Sequence, residues 1–118
     1  MEFLQMMVLP LIVWLVELVL PLPAIVEEIA KAIIVRRAEK WQQALGLGLM
    51  FGLSETMLFL VNANWLGNFS AVWRRLLLTV PMHGATSLVF YAGGKKYWWL
   101  GLAAAILMHA GFNLKIAS

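Results

Sequence analysis

Apolar residues fall in five blocks along the chain, separated by short stretches of Pro, Gly, Asn or basic residues. The first block, residues 3–20, is long enough at helical rise to cross most of a hydrocarbon core of roughly 30 Å. Pro21-Leu22-Pro23 ends it, because proline lacks an amide donor and disfavours helix in the residue before it. The second, 24–37, is short and carries Glu27, Glu28 and Lys31, so it reads as a buried or a re-entrant helix. The third, 41–62, contains one acid, Glu55, and reads as a clear span. Asn62 to Asn68 forms a polar turn with an interfacial Trp65, and a fourth helix is expected over 71–91. Gly93-Gly-Lys-Lys96 then makes a tight basic loop before the aromatic belt Tyr97-Trp98-Trp99 and a last helix over 97–114. The pattern predicts an all-α fold, a polytopic membrane helix bundle of about five membrane-embedded helices. It forms a single membrane domain over 1–118, with a leading helix in 1–23 and a motif-bearing core in 24–114.

Composition agrees with this pattern. Of 118 residues 63% are hydrophobic, and the mean hydropathy is +0.84, well above a soluble globular protein. Cysteine is absent, which excludes disulfides, a thiolate nucleophile and thiolate metal sites. The net charge of +3 does not point to nucleic acid, because the basic residues come as pairs at the ends of apolar runs, where anionic headgroups attract them. If all five segments cross, Arg36, Arg37, Lys40, Lys95 and Lys96 share one side, against Arg74, Arg75 and Lys115 on the other, which favours a cytoplasmic N-terminus. Arg74 and Arg75 are expected to reach toward headgroups. The start MEFLQMM lacks the basic residues of a cleavable signal, so the first segment is expected to be retained.

Against this background some residues are out of place. An ionised side chain at the bilayer centre costs roughly 2.5 to 3.5 kcal/mol on insertion scales, so Glu17, Glu27, Glu28, Lys31 and Glu55 must face each other or water. Glu27 and Lys31 lie four apart on one helical face, and Glu55 shares a face with Gly48, Gly52 and Asn62, where small residues let another helix approach. Thr79, His83, Thr86 and Ser87 form one stripe, and His109 and Asn113 stack four apart on another. The parsimonious arrangement turns these faces toward a central wet cavity. Adjacent glutamates there do not both ionise easily, so one could take a proton from water, and two histidines with an asparagine offer donors for a developing oxyanion. These are the parts of a hydrolase that uses an activated water. Zinc is the alternative use of carboxylates and histidines, but no His-Glu-x-x-His is present.

Glu27-Glu28-Ile-Ala-Lys31, Phe51-Gly-Leu-Ser-Glu55, Arg75 with Pro81-Met-His83-Gly-Ala-Thr86, and His109-Ala-Gly-Phe-Asn113 together resemble the ordered motifs of the PrsW family of intramembrane proteases. That family is related to the CAAX prenyl endopeptidases and bacteriocin-processing enzymes. The resemblance covers roughly residues 24–114. It implies an intramembrane endopeptidase acting on a membrane protein or peptide, in a multi-pass protein of a prokaryotic cell membrane. By the same resemblance Glu27 and Glu28 activate the water, and Lys31 holds the basic place of that helix. Glu55 stands where the family has an acid, while His83, His109 and Asn113 orient water or stabilise the oxyanion. Family members are labelled metalloproteases and the related CAAX enzymes look glutamate-based. The absence of thiols and of a tight metal motif favours the glutamate mechanism, with no cofactor and with zinc as the second choice. Thr56 departs from the family, which commonly has Asn after this acid. The chain is also short for the family, and a homo-oligomer could supply a missing wall. Two other classes fit the same polar groups: a silent scaffold or immunity-type binder on this fold, and a small ion-coupled transporter with buried Glu and His as a relay. Glu17 lies outside these motifs and is expected to pair structurally, with Lys31 as a partner.

Overall fold

A computed structural model describes residues 1–20, 22–62 and 69–117, and everything described is helix, turn or short connection. Helix α1 spans Glu2–Glu17, α2 Pro23–Val35 and α3 Trp41–Asn62. Helix α4, Phe69–Arg74, runs through a π-helical segment, Arg75–Thr79, directly into α5, Val80–Gly93, and α6 spans Trp98–Ala117. The polar turn expected around Trp65, the backbone at Pro21 and the side chain of Asn62 lie outside the described residues.

Local chemistry explains most of the boundaries. Pro23 occupies the first turn of α2, where its missing N–H costs nothing. Gly94 ends α5 with φ +62°, a conformation that needs no Cβ. The π segment sits just upstream of Pro81. That ring has no N–H for the carbonyl of Leu77 and would crowd it, so the preceding turn widens, and Val80 N–H bonds to the carbonyl of Arg75 five residues back.

The rods run alternately up and down. The Phe3 ring lies 3.3 Å from where a Cβ on Gly46 would stand, so α1 and α3 begin at the same end. Tyr91 Oη donates to the carbonyl of Glu39 at 3.0 Å, which brings the α5–α6 connection to that end too. The exposed Arg36, Arg37, Lys40, Lys95 and Lys96 therefore gather there, and exposed Arg74 lies at the other. This is the grouping read from the sequence, with one exception. Arg75 does not reach outward; the widened turn directs it inward.

Helices α3 and α5 pack closely through glycine. A Cβ on Gly48 would stand 2.4 Å from the His83 carbonyl oxygen and 2.5 Å from Ser87 Oγ, and one on Gly52 would stand 2.9 Å from Val80 Cα. Gly101 plays the same part between α6 and α5, with the Phe90 carbonyl 2.9 Å from its would-be Cβ.

The helices are amphipathic in the inverse sense. Helix α2 buries Ala24, Glu27, Glu28, Lys31, Ile34 and Val35, while Ile25, Ile29 and Ile33 are exposed. Thr79, His83, Thr86 and Ser87 are buried along the fourth rod, and Leu77 and Leu78 face outward. Helix α6 turns Gly101, Ala105 and His109 inward and Leu100, Leu107, Met108 and Leu114 outward. A small apolar core of Met6, Val13, Ile34, Val35, Ala44, Leu47, Phe51 and Phe90 surrounds the polar groups. A water-facing helix shows the reverse order.

Trp41–Val61 is long and apolar enough to cross a membrane by itself, and among the described residues it alone is. Helix α2, at 13 residues, covers only about 20 Å, so it is too short to span unaided. The expectation of five membrane-embedded helices is thus reduced here to an all-helical chain with one candidate span.

The Gly48 contact yields a test. Gly48→Leu should force α3 from α5 and destabilise the fold by roughly 1–3 kcal/mol or more, read as a lowered unfolding midpoint in detergent, while Gly111→Leu, at a site with nothing within 4 Å, should leave the midpoint unchanged.

Candidate functional site

Helices α2, α3 and α6 and the rod formed by α4, the π segment and α5 send polar side chains to one cluster. Lys31 is its hub: 1% exposed, its Nζ lies 2.8 Å from Glu28 Oε1, 2.7 Å from Thr86 Oγ1 and 3.1 Å from His83 Nδ1. An ammonium has three protons, and three acceptors surround it. Because a lysine only donates, His83 Nδ1 accepts, and the network assigns the ring proton to Nε2. That Nε2–H donates to Glu55 Oε2 at 2.5 Å. The other oxygen of Glu55 accepts from Arg75 Nη2 at 2.8 Å, and the guanidinium lies over the Phe59 ring at 4.5 Å.

A second branch leaves Lys31 through Glu28. Glu28 Oε1 also accepts from His109 Nδ1 at 2.7 Å, which assigns the second ring proton and leaves the lone pair on His109 Nε2. That nitrogen lies 3.2 Å from Glu27 Oε2, without hydrogen-bond alignment. The two imidazoles meet edge to face with centroids 5.0 Å apart, and Phe51 packs edge-on against His83 at 4.9 Å. Thus the two glutamate–histidine pairs, Glu28–His109 and Glu55–His83, are joined through one buried ammonium.

Beside this cluster lies a cavity of about 200 Å³ between α1, α2, α3 and the π segment. Its walls include Trp14, Glu17, Glu27, Phe51, Glu55 and Arg75. Glu27 Oε2, Glu17 Oε1 and Arg75 Nε are buried without hydrogen-bond partners. The Glu17 and Glu27 carboxyls share one wall of this cavity.

Of the residues singled out in the sequence, Glu27, Glu28, Glu55, His83 and His109 meet here. Asn113 does not: it lies one turn beyond His109, half-buried, and makes no hydrogen bond among the described residues. Thr56 turns back to the Gly52 carbonyl at 2.9 Å and takes no part in the cluster. Glu17 does not pair with Lys31, whose three protons are taken by Glu28, His83 and Thr86. Two members carry no assigned role in the sequence reading, although both fall in the motif Arg75 with Pro81-Met-His83-Gly-Ala-Thr86. Thr86 appears there and in a polar stripe. Arg75 reads as a headgroup anchor, and the signal against that is Pro81 six residues on, which widens the turn beneath it.

Glu27, His83 and His109 offer three ligand atoms within 4.8 Å of one another, a spacing that suits a metal ion. The hydrogen bonds make the fit poor. Both nitrogens of His83 are committed, to Lys31 and to Glu55, and its ligation would strip one of them. Only Glu27 Oε2 and His109 Nε2 are free to ligate, and a buried ammonium sits one residue away.

Comparison with protein-family models, with curated proteins and with solved structures finds no match. The functional reading therefore rests on the motifs and on the geometry of this cluster.

Replacing Lys31 checks the hub. Lys31→Met strands the buried Glu28 carboxylate and should cost roughly 3–5 kcal/mol, whereas Lys31→Met with Glu28→Met should cost clearly less than the two single changes summed. Equilibrium unfolding of the four proteins measures both, and additive losses would show that the ion pair does not organise the site.

Proposed function

We propose that the chain is a multi-pass membrane protein and an intramembrane endopeptidase, in which Glu27 activates a water that attacks a peptide bond of a membrane-associated substrate. The membrane part is supported by the exposed isoleucines and leucines of α2, the π-helical segment and α6, by the alternating rods and by the basic residues collected at one end. Helix α2 then lies within the bundle, its short length compensated by its neighbours.

The observation that carries the catalytic reading is the pairing of an unpartnered Glu27 Oε2 with a free lone pair on His109 Nε2, 3.2 Å apart at the edge of a cavity. A water in the cavity beside both atoms would be oriented by the His109 Nε2 lone pair and give its proton to Glu27. Glu27 takes a proton as the water oxygen attacks the carbonyl carbon, and returns it to the leaving nitrogen as the tetrahedral adduct collapses. Glu28, held by Lys31, keeps His109 in the tautomer this requires. Both histidine N–H groups are engaged, so the donor left for the oxyanion is Arg75 Nε–H. Glu55 and His83 act at one remove, by fixing Arg75 and Lys31. The PrsW-like motifs support the same assignment.

A second reading has a specific observation behind it: the three ligand atoms of Glu27, His83 and His109 would hold zinc, with His83 released from one partner. The two differ in how cleavage responds to chelation.

Purified protein reconstituted in bilayers should cleave a membrane-embedded peptide. Glu27→Ala with Glu28→Ala, and separately His109→Ala, should lower the rate by roughly 10²–10⁴-fold with helical content retained. Undiminished cleavage in the double variant would sink the proposal. Activity that persists in a strong chelator supports the water mechanism; activity lost to the chelator and restored by zinc supports the metal.

A further inference from the structure

The charges around the cavity do not balance. Four carboxyls, Glu17, Glu27, Glu28 and Glu55, face two cations, Lys31 and Arg75. Both histidines are neutral in the hydrogen-bond network. Glu28 is matched by Lys31 and Glu55 by Arg75, which leaves the Glu17–Glu27 pair without a cation. The pair keeps two buried oxygens without partners, and Glu27 is 7% exposed. Buried acceptors of this kind call for a donor, and a cationic one satisfies both charge and hydrogen bond.

The walls describe its shape. Pro10, Val13 and Leu58 provide an aliphatic passage, and Trp14 and Phe51 provide aromatic surface beside the carboxyls. The protein already holds one cation in this way, since Arg75 lies over Phe59 in the same cavity with its end on Glu55. A volume of about 200 Å³ admits one long, unbranched side chain.

We infer that this cavity is a recognition pocket for a cationic side chain, a lysine or arginine of the substrate, with Glu17 as the specificity-determining residue on α1. The stem would lie along Val13 and Leu58 and the charged end would reach Glu17. There it would meet the two buried carboxyl oxygens that have no other partner. The inference rests on the proposed peptidase reading for its substrate, but binding tests it without any cleavage.

Two single-span peptides, identical except for Lys or Met at one position near mid-span, are titrated into the purified chain in lipid nanodiscs. The wild type should bind the Lys peptide about tenfold more tightly, the effect of one well-placed charge pair. Glu17→Gln should erase that preference while binding the Met peptide as before. Equal affinity for the two peptides in the wild type would overturn the inference, and this comparison needs no variant that must fold. A preference that survives in Glu17→Gln would equally overturn the role of Glu17. If the Lys peptide is preferred yet neither peptide is cleaved, the pocket stands and the peptidase reading falls. Cleavage of both at equal rates with equal affinity does the reverse.

Discussion

A single buried ammonium holds this bundle in register. Lys31 reaches Glu28 on its own helix and His83 and Thr86 on the fourth rod, and through the first two it fixes His109 and Glu55. Once its three protons are placed, both histidine tautomers follow, and with them which atoms of the site can still take a proton or a ligand. Such a cluster is poor value as a source of stability. Buried ion pairs at best roughly repay their desolvation, and well-packed apolar residues would often serve as well. A chain this rich in leucine and isoleucine nevertheless buries Glu27, Glu28, Lys31, His83 and His109 together, with Glu17, Glu55 and Arg75 beside them, and this clustering is what the proposed chemistry rests on.

The inverse amphipathicity has the same root. Polar groups converge because each satisfies another, and the apolar residues are left to the outside. The close approach this needs comes from Gly48, Gly52 and Gly101, which let backbone meet backbone. Without them α5 would stand too far from α3 for His83 to reach Glu55.

Much of this was legible in the sequence. Five apolar blocks predict helices whose limits differ from the observed ones by a few residues, and the four-residue spacings of Glu27 with Lys31 and of Gly48 with Gly52 predict the faces that meet. Three features were not legible. Arg75 looks like a headgroup anchor because periodicity assumes 3.6 residues per turn, and the π segment under Pro81 breaks that rule locally. Glu17 looks like a structural acid because nothing in a linear pattern shows that α1 runs parallel to α3 and faces Glu27. Asn113 looks equivalent to His109 because spacing gives the face but not the depth: one turn further along, α6 has passed the cluster. The number of membrane crossings is likewise beyond helix length alone, since α2 is too short to span and yet lies among helices with lipid-like exteriors.

The choice between water and metal turns on hydrogen bonds rather than on ligand distances. Three ligand atoms within 4.8 Å would ordinarily favour an ion. Here His83 is held from both sides, by a donor that claims its lone pair and an acceptor that claims its proton. An ion could recruit it only by releasing either Lys31 or Glu55, and each release takes a hydrogen bond from a buried charge, leaving Lys31 to Glu28 and Thr86 in one case and Glu55 to Arg75 in the other. A neutral water beside Glu27 and His109 asks for no such sacrifice. It accepts the geometry as the ammonium has already set it, which is why the mechanism we propose uses an activated water rather than a metal.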